Sequence, residues 1–572
     1  MRSWAEVDPK IIFNPRCDSM SILADRLIPN RKFTPEYFYD KYPARCLPDG
    51  AKVTRIGPSP TGFFHIGGLY AGLISHRLAH QNDSGNSVFI LRIEDTDRKR
   101  EVEGAADLIV QSLVKYGLIP DEGAVASGVE VGHYGPYTQS LRYDIYQTFV
   151  HKLISESKAY PCFATPGELD DIRKEQEQLK VRPGYYGEWA VWRDRSEEDI
   201  LSALKSGRPY VIRLKSAGNI GQPVIFRDLV RGALELYEND QDIVLLKSDG
   251  FPTYHTAHVV DDHLMGTTHV IRADEWVSSI TLHLQLFQAF GWAPPLYGHI
   301  SPIQKMDGSS RRKLSKRKDP EASVLYYDEQ GYPVKAVIEY LLNLADSKFE
   351  DWRTSHPLHD NSCFDLDVFN MSRSGALFDI DKLNSISKDV ISSLQAHEVY
   401  ELSVKWALAY DTCLADRLQR DPSYTQQILN IERESEQPRK DIAKWSDLGP
   451  EIGYFYDDVF KENVAEIPAS LAGVSIHNFR PVIHDYIESY GETDSRDQWF
   501  LEFQAFSASH GFAPSAKIFK KDPDSYKGHV GDLAKVIRVL LTGRNKSPDL
   551  WEVMKIMGKE RVIRRLSMIY AF

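Results

Sequence analysis

A glycine-rich loop between an apolar strand and a helix constrains the fold of this chain more than any other feature. The loop is GPSPTGFFHIGG at residues 57–68, and the run AKVTRI before it is typical of a short buried strand. The residues that follow place one set of apolar side chains on a single helical face: Ile66, Leu69, Tyr70, Leu73, Ile74 and Leu78. The segment is therefore expected to join a strand to a helix.

Two interpretations of this loop are open. A helix N-terminus offers unpaired backbone N–H groups, and glycine lets a ligand approach the backbone closely, which favours an anion such as a phosphate. The alternative is a tight turn in which His65 is hydrogen-bonded locally. The loop alone does not decide between them.

The segments after the loop predict a parallel sheet. The apolar run SVFILRI at 87–93 follows the helix, and two strands joined by a helix form a βαβ unit. THVIRA at 268–273 predicts another buried strand, and beyond about residue 325 the pattern is helical. Ligands of such sheets bind outside the carboxyl ends of the strands, where the glycine-rich loop and Glu94–Asp97 both lie.

Two local predictions accompany this sheet. A helix after residue 101 is expected to bury Ala106, Ile109, Val110, Leu113 and Val114 on one face. The acidic run at 95–97 is interpreted as a helix cap rather than a metal site. The first fifty residues show no sustained period and are expected to pack on the body as an extension.

The bulk properties are those of an ordinary globular chain. Its 572 residues have room for roughly three to five domains, and a composition of 42% hydrophobic and 26% charged residues disfavours the disordered and fibrous classes. The five cysteines include no CxxC pair, which indicates neither a disulfide framework nor a cysteine-rich zinc site. No apolar run is long enough to span a membrane, and the acidic N-terminus lacks a secretory pattern. We expect a cytoplasmic protein, with the mitochondrial matrix as the alternative.

The net charge of −12 argues against wholesale nucleic-acid binding but permits a local basic surface. Such a surface is RRKLSKRK at 311–318, where six of eight residues are basic. By itself this run is as well explained by a solvated loop or a basic targeting peptide.

Six motifs occur in one order between Val53 and Lys318. They are TRIGPSPTGFFHIGG, LRIEDTD, YGPYTQS, FPTYHTAHVVDDHLMG, VIRADEW and KLSKRK. In this order they resemble the class I aminoacyl-tRNA synthetases, and among these the glutamyl-tRNA synthetases of bacterial type. The first matches the HIGH signature of the class, with Gly68 in place of the second histidine, and the last matches its KMSKS signature.

The resemblance implies an α/β fold: a Rossmann-like catalytic domain with an inserted acceptor-stem-binding domain, followed by an all-α anticodon-binding region. The implied segments are an N-terminal extension at 1–50, the two catalytic halves at 51–133 and 253–305, the insertion at 134–252, the KLSKR loop with a stem-contact region at 306–395, and the anticodon-binding region at 396–572. Arg538, Arg544, Trp551 and Arg561 are candidates for anticodon contact, although core or surface roles explain each of them better.

The resemblance also implies a reaction. Such a ligase activates L-glutamate with ATP and Mg²⁺ to glutamyl-adenylate and pyrophosphate, then transfers glutamate to the 3′-terminal adenosine of tRNA(Glu). Whether tRNA(Gln) is also charged stays open. A monomer without membrane partners is implied, and no protein-bound zinc is expected because Cys162 stands alone in the insertion.

Site residues carry over from the resemblance position by position. Catalysis is assigned to His65, Lys313 and Lys316. ATP binding is assigned to His65, Gly67, Gly68, Glu275, Ile303, Lys313 and Lys316, with Trp276 beside them. Glutamate binding is assigned to Arg55, Gly57, Ser59, Glu94, Tyr254, His258 and Arg272.

The chemistry of these residues fits a zwitterion with a second carboxylate. Glu94 would receive the ammonium group, and Arg272 would pair with the side-chain carboxylate, because a planar guanidinium binds carboxylate best. Many members of the family have asparagine at the position of His258. This histidine is interpreted either as a partner of the substrate carboxylate or as a packed, hydrogen-bonded histidine. Ile303 has a core role as its alternative.

Three other functions compete. A glutaminyl-tRNA synthetase is disfavoured by RIEDTD and by the helical C-terminal third. A shortened paralogue that modifies a tRNA base would lack the more than two hundred residues after the KLSKR loop. A catalytically silent RNA-binding paralogue would be expected to lose some of His65, Glu94, Arg272 and Lys316, which all stand here.

Overall fold

The computed structural model describes residues 15–81, 85–97, 99–126, 128–315, 317–463, 467 and 476–571. The chain divides into two compact units. The first, which we call the α/β unit, comprises Met1–Tyr326 and Ile338–Phe378. The second, the helical unit, comprises Tyr327–Val337 and Asp379–Phe572.

All strands of the described residues lie in the α/β unit. They are β1 (Val53–Ile56), β2 (Val88–Leu91), β3 (Glu122–Ala126), β4 (Val129–Val131), β5 (Ala159–Cys162), β6 (Val211–Leu214), β7 (Pro223–Asp228), β8 (Gly232–Tyr237), β9 (Val244–Leu246), β10 (His269–Ala273), β11 (Leu296–Ile300), β12 (Gln304–Asp307) and β13 (Ser310–Lys313).

The helices of the first part of the chain are α1 (Pro15–Leu27), α2 (Pro35–Lys41), α3 (Ile66–His80), α4 (Ala105–Lys115), α5 (Tyr143–Ser155), α6 (Pro166–Gln178), α7 (Glu197–Lys205), α8 (Tyr254–Leu264), α9 (Ile280–Phe290), α10 (Val324–Gln330), α11 (Val334–Ala345) and α12 (Lys348–Ser355). Those that follow are α13 (Ile380–Ser392), α14 (Ala396–Tyr410), α15 (Thr412–Arg420), α16 (Pro422–Asn430), α17 (Leu448–Ile452), α18 (Asp457–Asn463), α19 (Ile476–Ser489), α20 (Arg496–Ser509), α21 (Ala516–Lys521), α22 (Val530–Thr542), α23 (Leu550–Met557) and α24 (Lys559–Leu566).

The central sheet has the strand order β11-β10-β1-β2-β3-β4. Its pairs are parallel except for β3 with β4. The predicted βαβ unit is β1-α3-β2, with Val53 beside Val88 and Ile56 beside Leu91. All four residues of β1 are buried, as expected for a parallel strand that is covered on both faces.

The predicted face of α3 is confirmed, because all six of its apolar residues are buried. The predicted face of α4 is partly wrong. Ile109, Val110 and Leu113 are buried, but Ala106 is only partly buried and Val114 is 41% exposed. The buried face centres on Ile109 and Leu113, and at 100° per residue Val114 turns away from it toward solvent.

The predicted helix cap at 95–97 is wrong, because the next helix, α4, begins only at Ala105. Asp95 instead accepts a hydrogen bond from the backbone N–H of Ser140 at 2.7 Å. Asp97 pairs with the exposed Arg100 at 2.6 Å. These carboxylates therefore tie down loops and do not start a helix.

The residues between β4 and β10 add no strand to the central sheet. They form a three-stranded sheet of β5, β6 and β9 and a hairpin of β7 and β8. The described part of the first fifty residues packs on the body, as expected, since Leu23, Leu27 and Phe38 share one core with Phe149. The helical unit has its own core, which includes Trp406, Trp445 and Leu540.

Candidate active site

One cavity of about 1220 Å³ opens at the carboxyl ends of the parallel strands. Gly57 follows β1, Glu94 follows β2, Arg272 lies near the end of β10, and Ile303 follows β11, and all four line it. This is where an open α/β sheet binds its ligand. Among the described residues, no three His, Cys, Asp or Glu side chains are grouped so that they could hold a metal ion.

The cavity brings together nearly all of the residues assigned from the sequence. The residues that line it are Arg55, Gly57, Ser59, His65, Gly67, Gly68, Glu94, Tyr254, Arg272, Glu275, Trp276, Ile303 and Lys313. Lys316 lies outside the described residues. His258 is fully buried and does not line the cavity.

Glu94 is held rigidly at the cavity wall. Its Oε1 accepts hydrogen bonds from Arg92 Nη2 at 2.9 Å and from Arg92 Nε at 3.3 Å. Burial raises the pKa of Glu94 above its ordinary value, although Arg92 and Arg55 act in the opposite direction. A carboxylate fixed in this way can receive a cationic group of a ligand.

A buried layer of charges lies beneath this wall and was not identified from the sequence. Arg92 Nη1 donates to Asp262 Oδ1 at 2.7 Å, and Arg55 Nε lies 3.5 Å from the same oxygen. Next to it, Asp261 accepts from Arg142 Nε at 2.7 Å. Burial alone would raise the pKa of Asp262, but Arg92 and Arg55 outweigh it and hold that pKa well below its ordinary value. Two features of the sequence could have indicated this layer: Arg92 in an apolar run, and the adjacent Asp261 and Asp262 in a helix. Charged residues in such buried elements require partners of opposite charge.

His258 belongs to this buried layer. Its Nδ1 lies 3.0 Å from Asp262 Oδ2, and its Nε2 lies 3.0 Å from the hydroxyl of Tyr297. Its ring stacks on Tyr254 at an interplanar angle of 13°. Burial lowers the pKa of His258 to about 3, so the ring is neutral at physiological pH. The geometry matches the packed histidine of the second interpretation.

The N-terminus of α3 is capped from within. His65 Nδ1 accepts the backbone N–H of Gly67 at 2.9 Å, and the carbonyl of His65 accepts that of Gly68 at 2.8 Å. These amides, which were expected to face a phosphate, thus have partners inside the protein. His65 has features of both interpretations of the loop. It is hydrogen-bonded locally, as in a tight turn, and it lines the cavity, as in a ligand site.

The basic run at 311–318 begins in a hairpin of β12 and β13 at the cavity. Lys313 Nζ lies 2.6 Å from Glu275 Oε2. Arg312 grips Asp319 with two hydrogen bonds, of 2.5 and 2.8 Å. Asp319 Oδ2 also accepts the backbone N–H of Ser315 at 2.8 Å, so this carboxylate binds residues on both sides of Lys313.

The residues between β4 and β10 also contribute to the cavity, which the sequence did not indicate. Lys247 lines it, and its Nζ donates to the carbonyl of Thr96 at 2.8 Å. Cys162 lies elsewhere, buried, with its Sγ 3.3 Å from the hydroxyl of Tyr185.

Comparisons with known proteins identify the family. Residues 52–385 match the model "tRNA synthetases class I (E and Q), catalytic domain", and residues 517–570 match "Anticodon binding domain". The chain is 46% identical to the glutamate–tRNA ligase of Clostridium perfringens (strain 13) over 95% of this chain and 99% of that protein. It is also 46% identical to that of Acetivibrio thermocellus, over 95% and 98%.

The chain belongs to the glutamate–tRNA ligase family. A crystal structure of a glutamate–tRNA ligase from Elizabethkingia meningosepticum, in complex with its amino acid, superposes with a TM-score of 0.71 at 26% identity, over 91% of this chain and 99% of that one. The predicted fold class is confirmed: a class I catalytic domain built on a parallel sheet, followed by a helical anticodon-binding domain. The predicted boundaries of the six segments stay predictions.

In this family member the matched anticodon-binding domain includes α22 to α24. The four candidates from the C-terminal third all have intramolecular partners. Arg538 donates to Ser547, Arg544 pairs with Glu451, Trp551 donates to the carbonyl of Thr493, and Arg561 contacts Tyr424. No described helix is both long and apolar enough to cross a membrane.

Proposed function

We propose that this chain activates L-glutamate with ATP and Mg²⁺ and transfers the glutamyl group to the 3′-terminal adenosine of tRNA(Glu). The observation that carries the proposal is one cavity lined by two sets of polar groups. The first set is Glu94, Arg55 and Arg272, and the second is His65 and Lys313. The first suits an amino acid with two carboxylates, and the second suits a triphosphate.

In the first step a carboxylate oxygen of glutamate attacks the α-phosphorus of ATP. A new P–O bond forms, the bond to the β-phosphate oxygen breaks, and pyrophosphate leaves. The protein supplies no nucleophile, so it acts by positioning the reactants and stabilising charge on the phosphate oxygens. Glu94 binds the ammonium group, Arg272 binds the side-chain carboxylate, and Lys313, with Lys316, neutralises the departing pyrophosphate.

In the second step the 2′-hydroxyl of the terminal adenosine attacks the glutamyl carbonyl, and AMP leaves. In this proposal residues 134–252 bind the acceptor end and residues 396–572 bind the anticodon. In this proposal the chain acts as a monomer in the bacterial cytoplasm, and the bacterial sources of its curated relatives support this. Whether it also charges tRNA(Gln) is decided by anticodon contacts.

The test is aminoacylation with purified tRNA(Glu) and tRNA(Gln), each with radiolabelled glutamate or glutamine, ATP and Mg²⁺. We expect glutamate on tRNA(Glu). Charging of both tRNAs with glutamate would indicate a non-discriminating enzyme, whereas transfer of glutamine, or no transfer, would contradict the proposal.

Two variants test whether the charging activity depends on a residue of the cavity. Glu94→Gln removes the charge that binds the ammonium group, and we expect the charging rate to fall by about 100-fold or more. Glu401→Gln changes an exposed glutamate of α14 and serves as the control with unchanged activity. Equal activity of the two variants would exclude Glu94 from the site.

A further inference from the structure

We propose that Asp228 and His299 are positioning residues that hold the guanidinium of Arg272 in its binding orientation through a fixed histidine tautomer. This inference rests on the proposed role of Arg272 as the partner of the glutamate side-chain carboxylate. Neither Asp228 nor His299 lines the cavity, so both act through Arg272.

Strand register makes His299 the neighbour of Arg272. In the parallel pair of β10 and β11, Arg272 lies opposite His299. Side chains at paired positions of adjacent strands point to the same face of a sheet. Arg272 Nε donates to His299 Nε2 at 2.9 Å, and His299 is fully buried.

Asp228, at the end of β7, fixes the other side of the ring. Its Oδ1 accepts three backbone N–H groups, from Val230 at 2.9 Å, Arg231 at 2.9 Å and His299 at 3.1 Å. These three donors fix the orientation of the Asp228 carboxylate. In this orientation its Oδ2 lies 2.5 Å from His299 Nδ1.

The tautomer follows from the two contacts. A neutral imidazole has one N–H and one acceptor nitrogen, and an arginine in a protein can only donate. The proton of His299 therefore lies on Nδ1, toward Asp228, and the lone pair on Nε2 faces Arg272. Burial lowers the pKa of His299 in spite of Asp228, which agrees with a neutral ring.

A pair of further histidines holds the same guanidinium from another side. Arg272 Nη1 lies 3.2 Å from His283 Nδ1, and His283 Nε2 lies 3.0 Å from His255 Nδ1. The contact of Arg272 Nη2 with the carbonyl of Trp276 is long, at 3.4 Å. Nε and Nη1 are thus engaged with the protein, while further N–H groups of Nη1 and Nη2 are left for a carboxylate. A rigid fork of this kind loses little freedom when it binds.

Asp228→Asn tests the tautomer with an isosteric change. The amide oxygen must take the place of Oδ1, because three backbone N–H groups donate there. The amide N–H₂ then faces His299 Nδ1 and donates to it, which moves the histidine proton to Nε2, against Arg272. We expect the KM for glutamate to rise about ten- to a hundredfold, with the KM for ATP nearly unchanged.

His299→Gln supplies the rescue. The side-chain carbonyl of glutamine can accept from Arg272 whatever residue stands at 228. In the His299→Gln background, Asp228→Asn should therefore have little further effect on the KM for glutamate. Equal effects in both backgrounds would overturn the inference, because they would show that the aspartate does not act through the histidine.

Two further comparisons separate positioning from folding. Asp242→Asn changes another buried aspartate, which pairs with Arg193 at 2.8 Å and does not touch Arg272, and should leave the KM for glutamate unchanged. If Asp228→Asn does not fold, His299→Gln and His299→Leu still test the acceptor. Only the leucine variant should bind glutamate weakly, and equal glutamate binding by both would overturn the inference.

Arg272→Gln distinguishes failure of the inference from failure of the proposed function. If this variant binds glutamate normally, the role proposed for Arg272 is wrong. If Arg272→Gln raises the KM for glutamate and Asp228→Asn does not, only the positioning role is wrong. A parallel rise in the KM for ATP and for glutamate in Asp228→Asn would indicate a general structural effect and would also reject it.

Discussion

At the scale of single residues, the absence of a side chain at Gly57 leaves the space that the carboxylate of Glu94 occupies. A Cβ atom built on Gly57 would lie 2.2 Å from Glu94 Oε1 and 2.5 Å from Glu94 Cδ. Glu94 has little freedom to move away, because Arg92 holds it with two hydrogen bonds. The carboxylate of Glu94 can therefore occupy this position only when residue 57 is glycine.

Gly57→Ala should displace the carboxylate of Glu94. We expect the KM for glutamate to rise about tenfold or more, since a buried charge pair is disrupted, while the KM for ATP changes less. The measurement is steady-state aminoacylation at varied glutamate. Gly449→Ala, at a helical glycine with no atom within 4 Å of the added Cβ, is the control. An unchanged KM in Gly57→Ala would show that Glu94 does not bind the amino group.

At the scale of elements, the hairpin of β12 and β13 is tied by Asp319 to the segment that follows it. Asp319 is buried and binds both Arg312 and the N–H of Ser315. Arg312 keeps the pKa of this carboxyl well below its ordinary range. Asp307 also contacts Arg312, at 2.8 Å, but its side chain is 56% exposed.

Asp319→Asn should loosen the loop that contains Lys313. We expect kcat to fall about tenfold with little change in the KM for glutamate, because Lys313 would lose its fixed position near the leaving group. Asp307→Asn removes a more exposed contact to the same arginine and should have a much smaller effect, as exposed ion pairs contribute little. Equal effects of the two variants in single-turnover assays would contradict the anchoring role.

For the whole molecule, buried neutral histidines couple stability to pH. Burial lowers the pKa of His76, His255, His263 and His269 from 6.5 to about 4, and that of His258 to about 3. The unfolded chain binds more protons than the folded one between pH 6.5 and about 4. The stability contributed by these groups is therefore complete above pH 6.5 and is lost as the pH falls toward 4.

We expect the Tm of the α/β unit to fall as the pH is lowered from 7 to 5. The ring of His263 stacks on Trp292, with the ring centroids 3.9 Å apart. His263→Phe should make the fall in Tm less steep, because phenylalanine can keep this stacking and does not titrate. His397→Phe, at an exposed histidine of α14, is the control. Thermal unfolding followed by circular dichroism at several pH values makes the measurement, and identical slopes in wild type and His263→Phe would refute the prediction.

Local patterns in the sequence determined the segment of β1, the glycine-rich loop and α3, whereas the residues assigned to the site came from the resemblance to a family, and 13 of those residues line the cavity. Such patterns act over a few residues, where strand and helix periods decide which side chains share a face. The same reasoning was wrong for Val114 and for the cap at 95–97, because burial there depends on neighbours distant in the chain.

Only the tertiary structure decided how the charged groups are paired. Arg92, after β2, meets Asp262 of α8, although the two are far apart in the chain. Arg272 meets His299, and through it Asp228, because the register of β10 and β11 places Arg272 opposite His299. No periodicity in the sequence encodes a contact between segments so far apart. The sequence by itself determined which chemical groups are present and on which elements they lie. The order of the strands and the packing of helices on them determined which of these groups touch, because the partner of a buried charge is near it in space and need not be near it in the chain.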